Sequence, residues 1–434
     1  MSPVAIGIIG IFVLILIFLL GMPVGFAMGL VGLAGFCYLV SPEAGLSLLA
    51  RDVFTTFSSY SLTVIPMFVF MGSIAYASGM SRRLYEASHT LFGEMRGGLI
   101  MATIAGCAGF AAICGSTSAT AAAMGRVSLP EMKRYKYNDA LATGSVAAAG
   151  SLGILIPPST IFIVYGILTE QSIGRLFLAG VFPGIILASL FMVTVAVICW
   201  RYPHLAPAGE PTSYREKIEG ITGISEMLVL FVMVMGGLFL GWFSPVQAGA
   251  AGAAGALLIG LARRQLNWDG FLFAVKDTLK VTCEIIVIVT GAVILGHFIA
   301  VAKIPFILTQ WVSELSLPTV VVMGVIVLMY LFGGFFMDAL ALITLTIPII
   351  YPLVLSLGFD PIWFGVIIVL VTEMGVITPP VGINVYVIKG IAEDVSLETI
   401  FKGVFPFLIA LIVAVGILIA FPQIATFLPG MATY

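Results

Sequence analysis

Pro157-Pro158 and Pro379-Pro380 are the only Pro-Pro pairs in the 434-residue sequence, and the second follows the first after 222 residues. Each closes the same frame, Gly-x-x-x-Pro-Pro, read as Gly153-Ile-Leu-Ile-Pro-Pro158 and Gly375-Val-Ile-Thr-Pro-Pro380. Both frames sit inside long apolar runs. Proline removes an N–H and blocks the carbonyl four residues back, so no helix passes through unbroken. At membrane depth a broken helix exposes backbone groups that lipid cannot satisfy, which is tolerated only inside protein or beside a watery cavity. Two matching breaks therefore point to a binding site.

The rest of the sequence agrees with a membrane setting. Apolar residues make up 61% and charged residues 9%, with a mean hydropathy of +1.18, which excludes a soluble domain. Apolar stretches of about 20 residues, long enough to cross a bilayer as helices, recur from end to end. The short alternating segments of a membrane β-barrel are absent. Five cysteines (Cys37, Cys107, Cys114, Cys199, Cys283) lie in or near these stretches without paired spacing. They read as small packing residues rather than metal ligands or disulfides. The run from Val4 to Leu20 lacks a positive leader and reads as a retained helix.

In chain order, spans are expected near 3–20 and 23–40, then an interfacial segment near 44–60 and a span near 61–79. A polar patch with Arg82, Arg83, His89 and Arg96 follows. Residues 98–128, interrupted at Gly115-Ser-Thr-Ser118, predict a hairpin that enters and turns back. A broken helix is expected over 138–169 and a span over 176–200. A polar linker, 206–225, then separates a first half (1–205) from a second (226–434) in which the order repeats. Spans are expected near 226–243, 246–262 and 282–303, a hairpin over 319–356, a broken helix over 361–389 and a span over 400–421. Pro23 matches Pro245, and Ser116 matches Asp338, at the same 222-residue offset.

Each half thus has five crossings, one of them broken, plus a re-entrant hairpin. Five is odd, so the halves are expected to lie inverted in the membrane. With the N-terminus outside, sixteen of the nineteen Lys and Arg residues fall inside, and only Arg51, Arg175 and Lys303 fall outside. That is the positive-inside distribution, and it puts both termini on the outer face. The fold class is an all-α polytopic membrane protein built of two inverted repeats.

Inverted repeats with paired broken helices are a secondary-transporter architecture. Half-helix N-termini offer N–H groups to an anion, and freed carbonyls at opposing ends suit a hard monovalent cation such as Na⁺. In the first half these groups are Ser116, Thr117 and Ser118 at the hairpin bend, with Gly150, Ser151 and Gly153 across from it. In the second half the bend falls at Gly333 to Asp338, facing Thr372, Glu373, Gly375 and Thr378. Asp338 and Glu373 are expected either to cap backbone or to serve an ion or substrate, because a charge at the bilayer centre costs roughly 2.5–3.5 kcal/mol. Glu284 and His297 read as structural, as does the Gly/Ala face from Gly249 to Gly260. No nucleotide-binding loop or nucleophile–base constellation is visible, so the chain is not expected to be an enzyme or an ATP-driven pump.

Over essentially its whole length the chain resembles the large membrane subunit of tripartite ATP-independent periplasmic (TRAP) transporters. The resemblance is carried by Gly115-Ser-Thr-Ser-Ala-Thr120, Gly150-Ser-Leu-Gly-Ile-Leu-Ile-Pro-Pro-Ser159, Phe336-Met-Asp338 and Gly375-Val-Ile-Thr-Pro-Pro-Val-Gly-Ile-Asn384. It implies an elevator-type permease in a bacterial or archaeal inner membrane. It also implies a separate small four-helix membrane subunit and an extracytoplasmic binding protein as partners. The implied activity is Na⁺-coupled import of an organic acid such as a C4-dicarboxylate or sialic acid. Carried over by position, Na⁺ would be held by Ser116, Thr117, Ser118, Gly150, Gly153, Gly334, Asp338, Thr372, Gly375 and Thr378. Substrate would meet Ser116, Ser151, Pro158, Glu373, Pro379 and Asn384. A fixed cationic residue is scarce in this expected core. The alternative is a stand-alone ion-coupled organic-anion carrier or exchanger of the same design.

Overall fold

The computed structural model describes residues 1–209, 214–315 and 317–432, and nearly all of these are helical. The first half contains α1 (Pro3–Leu19), α2 (Val24–Leu39), α3 (Pro42–Phe57), α4 (Val64–Ala77), α5 (Met80–Phe92), α6 (Gly98–Cys114) and α7 (Thr117–Arg134). It continues with α8 (Asp139–Gly150), α9 (Leu152–Leu155), α10 (Thr160–Thr169) and α11 (Ile173–Arg201). The second half contains α12 (Tyr214–Phe239), α13 (Pro245–Ala262), α14 (Trp268–Val301), α15 (Ile304–Glu314) and α16 (Thr319–Gly334). After these come α17 (Ala339–Ser356), α18 (Pro361–Ile377), α19 (Ile383–Lys389), α20 (Leu397–Ala420) and α21 (Gln423–Met431). Among the described residues, seven helical stretches are long and apolar enough to cross a membrane.

Local sequence sets the helix starts at matching places in the two halves. The Asn138 side chain caps α8 by accepting from Leu141 N, and Asp360, 222 residues on, caps α18 by accepting from Trp363 N. Ser116 caps α7 and Asp338 caps α17 in the same way. The two breaks also correspond: α9 stops at Leu155 and α18 at Ile377, each just ahead of its Pro-Pro pair. Both Pro-Pro bonds are cis.

The packing interleaves the halves. α2 packs on α14 and α13 on α4, while α8 packs on α20 and α18 on α11. Every residue of α18 from Ile362 to Ile377 is buried, and so is all of α8 from Leu141 to Gly150. Helices apolar on all sides belong inside a large core. Around them α1, α11 and α16 leave Phe12, Trp200 and Phe332 exposed, as helices facing lipid tails do. The closest crossings use glycine. A Cβ built on Gly403 of α20 would lie 1.7 Å from the Ala140 carbonyl oxygen of α8, and one on Gly291 of α14 would lie 2.1 Å from the Gly25 oxygen of α2. Small residues let helix backbones approach this closely where lipid gives no hydrophobic drive.

Four segments depart from the sequence expectation. The polar patch after α4 is a helix, α5, rather than a loop. The span expected at 282 starts at Trp268, because α14 runs unbroken where the first half has α3, a bend at Ser58-Ser59 and then α4. In the first half the Ser58 hydroxyl donates to Phe54 O at 2.7 Å and helps end α3. In the second half Lys280-Val-Thr-Cys-Glu284 carries no such stop. The linker expected over 206–225 is helical from Tyr214, and its residues 210–213 lie outside the described ones. The first hairpin extends to Arg134, beyond the expected 128.

Where α5, α12 and α13 meet, Glu226 is buried between two arginines. Its Oε2 lies 2.6 Å from Arg83 Nη2 and its Oε1 lies 2.8 Å from Arg263 Nε. Arg83 also donates to Gln265 and to the Ser78 carbonyl. Removing one member of a buried ion network leaves its partners uncompensated, at about 3 kcal/mol. Glu226→Ala is therefore expected to lower the melting temperature of the purified protein clearly. Melting at the wild-type temperature would show that these charges are solvated and not a clamp.

Candidate functional site

The two hairpin turns meet at a cavity of about 680 Å³. One wall is the turn between α6 and α7. Gly115 takes a left-handed conformation (φ +66°), which ends α6, and Ser116 caps α7, its Oγ 3.4 Å from Ala119 N. Ser116, Thr117 and Ser118 line the cavity, with the Ser116 and Ser118 hydroxyls 3.4 Å apart. The turn rests on the first helix break: Thr160 Oγ1 donates to Gly115 O at 3.0 Å, and a Cβ on Gly115 would lie 2.6 Å from Pro158 O.

The second wall comes from the other half. Asp338 lines the cavity and caps α17, its Oδ2 accepting from Leu340 N at 3.0 Å. Behind it Gly334 and Gly375 touch backbone to backbone, since a Cβ on Gly375 would lie 2.4 Å from Gly334 Cα. The remaining wall is α4 against α14. Here Ser73 Oγ donates to Asp277 Oδ2 at 2.7 Å, and Asp277 and Glu284 both face the cavity.

The residues singled out from the sequence thus part company. Ser116, Thr117, Ser118 and Asp338 are on the cavity wall. Gly150, Ser151, Gly153, Pro158, Thr372, Glu373, Gly375 and Asn384 are buried behind it, where a direct substrate contact would need access this conformation does not give. Gly150 packs against Ala121 and Gly153 against the Ser116 carbonyl, so both hold the first turn in place. Thr378 Oγ1 donates to Met374 O and Thr372 Oγ1 to Val369 O. Pro379 is exposed, unlike its counterpart Pro157. Glu373 is wholly buried beside Ser151, whose hydroxyl donates to Ala148 O. Among the described residues neither Glu373 carboxylate oxygen, nor Thr120 Oγ1, nor Asn384 Oδ1 has a hydrogen-bond partner.

The cavity wall also carries residues that the sequence reading did not assign to a site. Glu284, expected to be structural, lines the cavity, as do Asp277, Tyr76 and Arg126. Asp277 sits between Lys276 and Lys280, a charge density that reads as loop. Arg126 reads as an inside-facing loop cation because hydropathy falls off there. The available signal was its spacing: Ser118, Ala122 and Arg126 recur every four residues on one helical face. His297 does take a neighbour, its Nε2 3.1 Å from Asp52 Oδ2.

Comparison with known proteins places this geometry. Residues 11–424 match the family model for the tripartite ATP-independent periplasmic transporter, DctM component. The C4-dicarboxylate TRAP transporter large permease protein DctM of Pseudomonas aeruginosa is 35% identical over 393 residues, covering 90% of this chain and 91% of that one. The sialic acid TRAP transporter large permease protein SiaM of Vibrio cholerae is 31% identical, covering 95% of each. The isethionate TRAP transporter permease protein DctMQ of Oleidesulfovibrio alaskensis is 32% identical, covering 99% of this chain and 66% of that one. Among solved structures, the YdaH transporter of Alcanivorax borkumensis superposes with a TM-score of 0.66 at 14% identity, over 88% of this chain and 90% of that one. MtrF of Neisseria gonorrhoeae superposes with a TM-score of 0.56 at 15% identity, over 87% and 84%. Those two likenesses concern the fold alone. With two hairpin turns closing on one cavity and a family match over nearly its whole length, the chain belongs to the DctM family, the large permease components of TRAP transporters.

Proposed function

We propose that this permease imports an organic acid by Na⁺ symport, receiving it from an extracytoplasmic binding protein and working with a small four-helix membrane subunit. The supporting observation is the meeting of two hairpin turns, capped by Ser116 and Asp338, at one cavity. Each turn brings hydroxyl or carboxylate oxygens and a helix N-terminus to the same space. Oxygens suit Na⁺, and the N-termini suit a carboxylate. Relatives named for C4-dicarboxylate, sialic acid and isethionate transport share an anionic cargo.

On this reading the halves, 1–205 and 226–434, lie inverted in a bacterial or archaeal inner membrane with both termini outside. Na⁺ is held at Ser116, Thr117, Ser118, Gly150 and Gly153 in one half and at Gly334, Asp338, Thr372, Gly375 and Thr378 in the other. The hairpins and broken helices move as an elevator against α4 and α14. Each net positive charge carried inward gains about 2.3 kcal/mol per 100 mV of membrane potential.

The test is uptake of labelled organic acids into proteoliposomes holding this chain and its small subunit, under an imposed Na⁺ gradient, with the binding protein added or omitted. Uptake needing both Na⁺ and the binding protein is the expected result. Uptake without the binding protein would make the chain an autonomous carrier instead. Ser116→Ala and Thr378→Ala are each expected to raise the Na⁺ concentration for half-maximal uptake about tenfold, the equivalent of one lost hydrogen bond to a charged group. If both keep wild-type Na⁺ dependence, these residues do not form the ion sites.

A further inference from the structure

We propose that Arg126 is an anion-binding residue of the cavity, holding the second acidic end of a two-ended organic anion whose first end is held at the Ser116–Ser118 turn. The proposal rests on the organic-acid reading above and adds to it a residue and a substrate shape.

Among the described residues, four charged side chains line the cavity: Arg126, Asp277, Glu284 and Asp338. Three carboxylates around one space repel an anion, so the single guanidinium sets where an anion can sit. Two of those carboxylates already have donors, Asp277 from Ser73 Oγ and Asp338 from Leu340 N. Arg126 is different. Among the described residues it has no carboxylate partner, and its Nη1 donates to the neutral Tyr76 Oη at 3.1 Å. This exposed guanidinium thus has no direct counter-ion among the described residues, and its bond to Tyr76 is one that an incoming carboxylate can share or replace.

The placement on α7 gives the spacing. Ser118, Ala122 and Arg126 lie on one face of that helix and all face the cavity. Arg126 lies about 12 Å beyond Ser118 along the axis at about 1.5 Å per residue. Helical side chains lean back toward the N-terminus, so the guanidinium is displaced from its Cα toward the serine turn and shortens that distance in part. Ala122, between them, leaves the intervening space open. A short chain with an acid at each end fits between a helix N-terminus and a planar fork that takes a carboxylate with two parallel hydrogen bonds. Lysine, with a point charge, would not reproduce that fork.

The experiment is equilibrium binding to the purified complex of this chain and its small subunit in saturating Na⁺. The probes are succinate and succinamate, its isostere with one carboxylate made a neutral amide, alongside sialic acid and isethionate. Wild type is expected to bind succinate at least tenfold more tightly than succinamate. Arg126→Gln should erase that preference while leaving succinamate affinity in place, and Arg126→Lys, which keeps the charge, should retain only part of it. The same preference in Arg126→Gln as in wild type would overturn the assignment, as would full preference in Arg126→Lys if the glutamine variant does not fold. Binding of sialic acid or isethionate but not succinate would overturn the two-ended anion and leave organic-acid transport standing. Binding of none of the four would remove both.

Discussion

Gly403→Ala is expected to be among the most damaging single-methyl changes in the protein. At that crossing α20 lies so close to α8 that the added Cβ would sit 1.7 Å from Ala140 O and 3.1 Å from Gly144 Cα. Backbone cannot swing aside as a side chain can, so the two helices must separate along their length. Separation would loosen the buried Val404, Phe407 and Leu411 that α20 sets into the core. Overpacking of this kind costs about 3 kcal/mol at the upper end of its usual range. The same helix supplies its own control. Nothing lies within 4 Å of a Cβ on Gly416, so Gly416→Ala should be neutral or slightly stabilising, by up to about 1 kcal/mol of helix propensity. Thermal unfolding and yield of the two purified variants decide the matter: equal melting temperatures would mean the α8–α20 crossing is looser than it looks.

Asp338 separates capping from charge. Its carboxylate caps α17 through Leu340 N, and asparagine caps a helix nearly as well as aspartate. On the proposed Na⁺ site, Asp338→Asn should then fold with wild-type stability yet lose at least tenfold in Na⁺-driven uptake, because an amide cannot supply the carboxylate's charge to the ion. Asp338→Ala should lose the same uptake and, in addition, about 1 kcal/mol of stability with the cap. Normal uptake by Asp338→Asn together with an unstable Asp338→Ala would make the residue a cap and nothing more.

The breaks and turns were legible in the sequence because proline, glycine and capping residues act locally. Gly153 to Pro158, Gly375 to Pro380, Ser116 and Asp338 each dictate backbone within a few residues, and the helices stop and start where those residues say. What faces the cavity was not legible in the same way. Ser151, Glu373 and Asn384 share the chemistry of Ser116 and Asp338, yet tertiary packing buries the former and opens a cavity onto the latter. Hydropathy misled at 268–281, where Lys276, Asp277 and Lys280 read as loop. They belong to α14, with Asp277 turned to the cavity and the two lysines to the exposed side. The same bias hid Arg126, a charge on a helix rather than beyond its end.

The glycine crossings also bear on which parts of the molecule are joined most firmly. Gly25 with Gly291, and Gly144 with Gly403, each join one helix from the front of the chain to one from the back. A line drawn at the middle of the sequence therefore cuts through both of these seams. On the proposed elevator motion, what moves must be assembled from pieces of both halves, because α8 is locked against α20 and α2 against α14. Sequence order and close packing thus divide the chain along different lines.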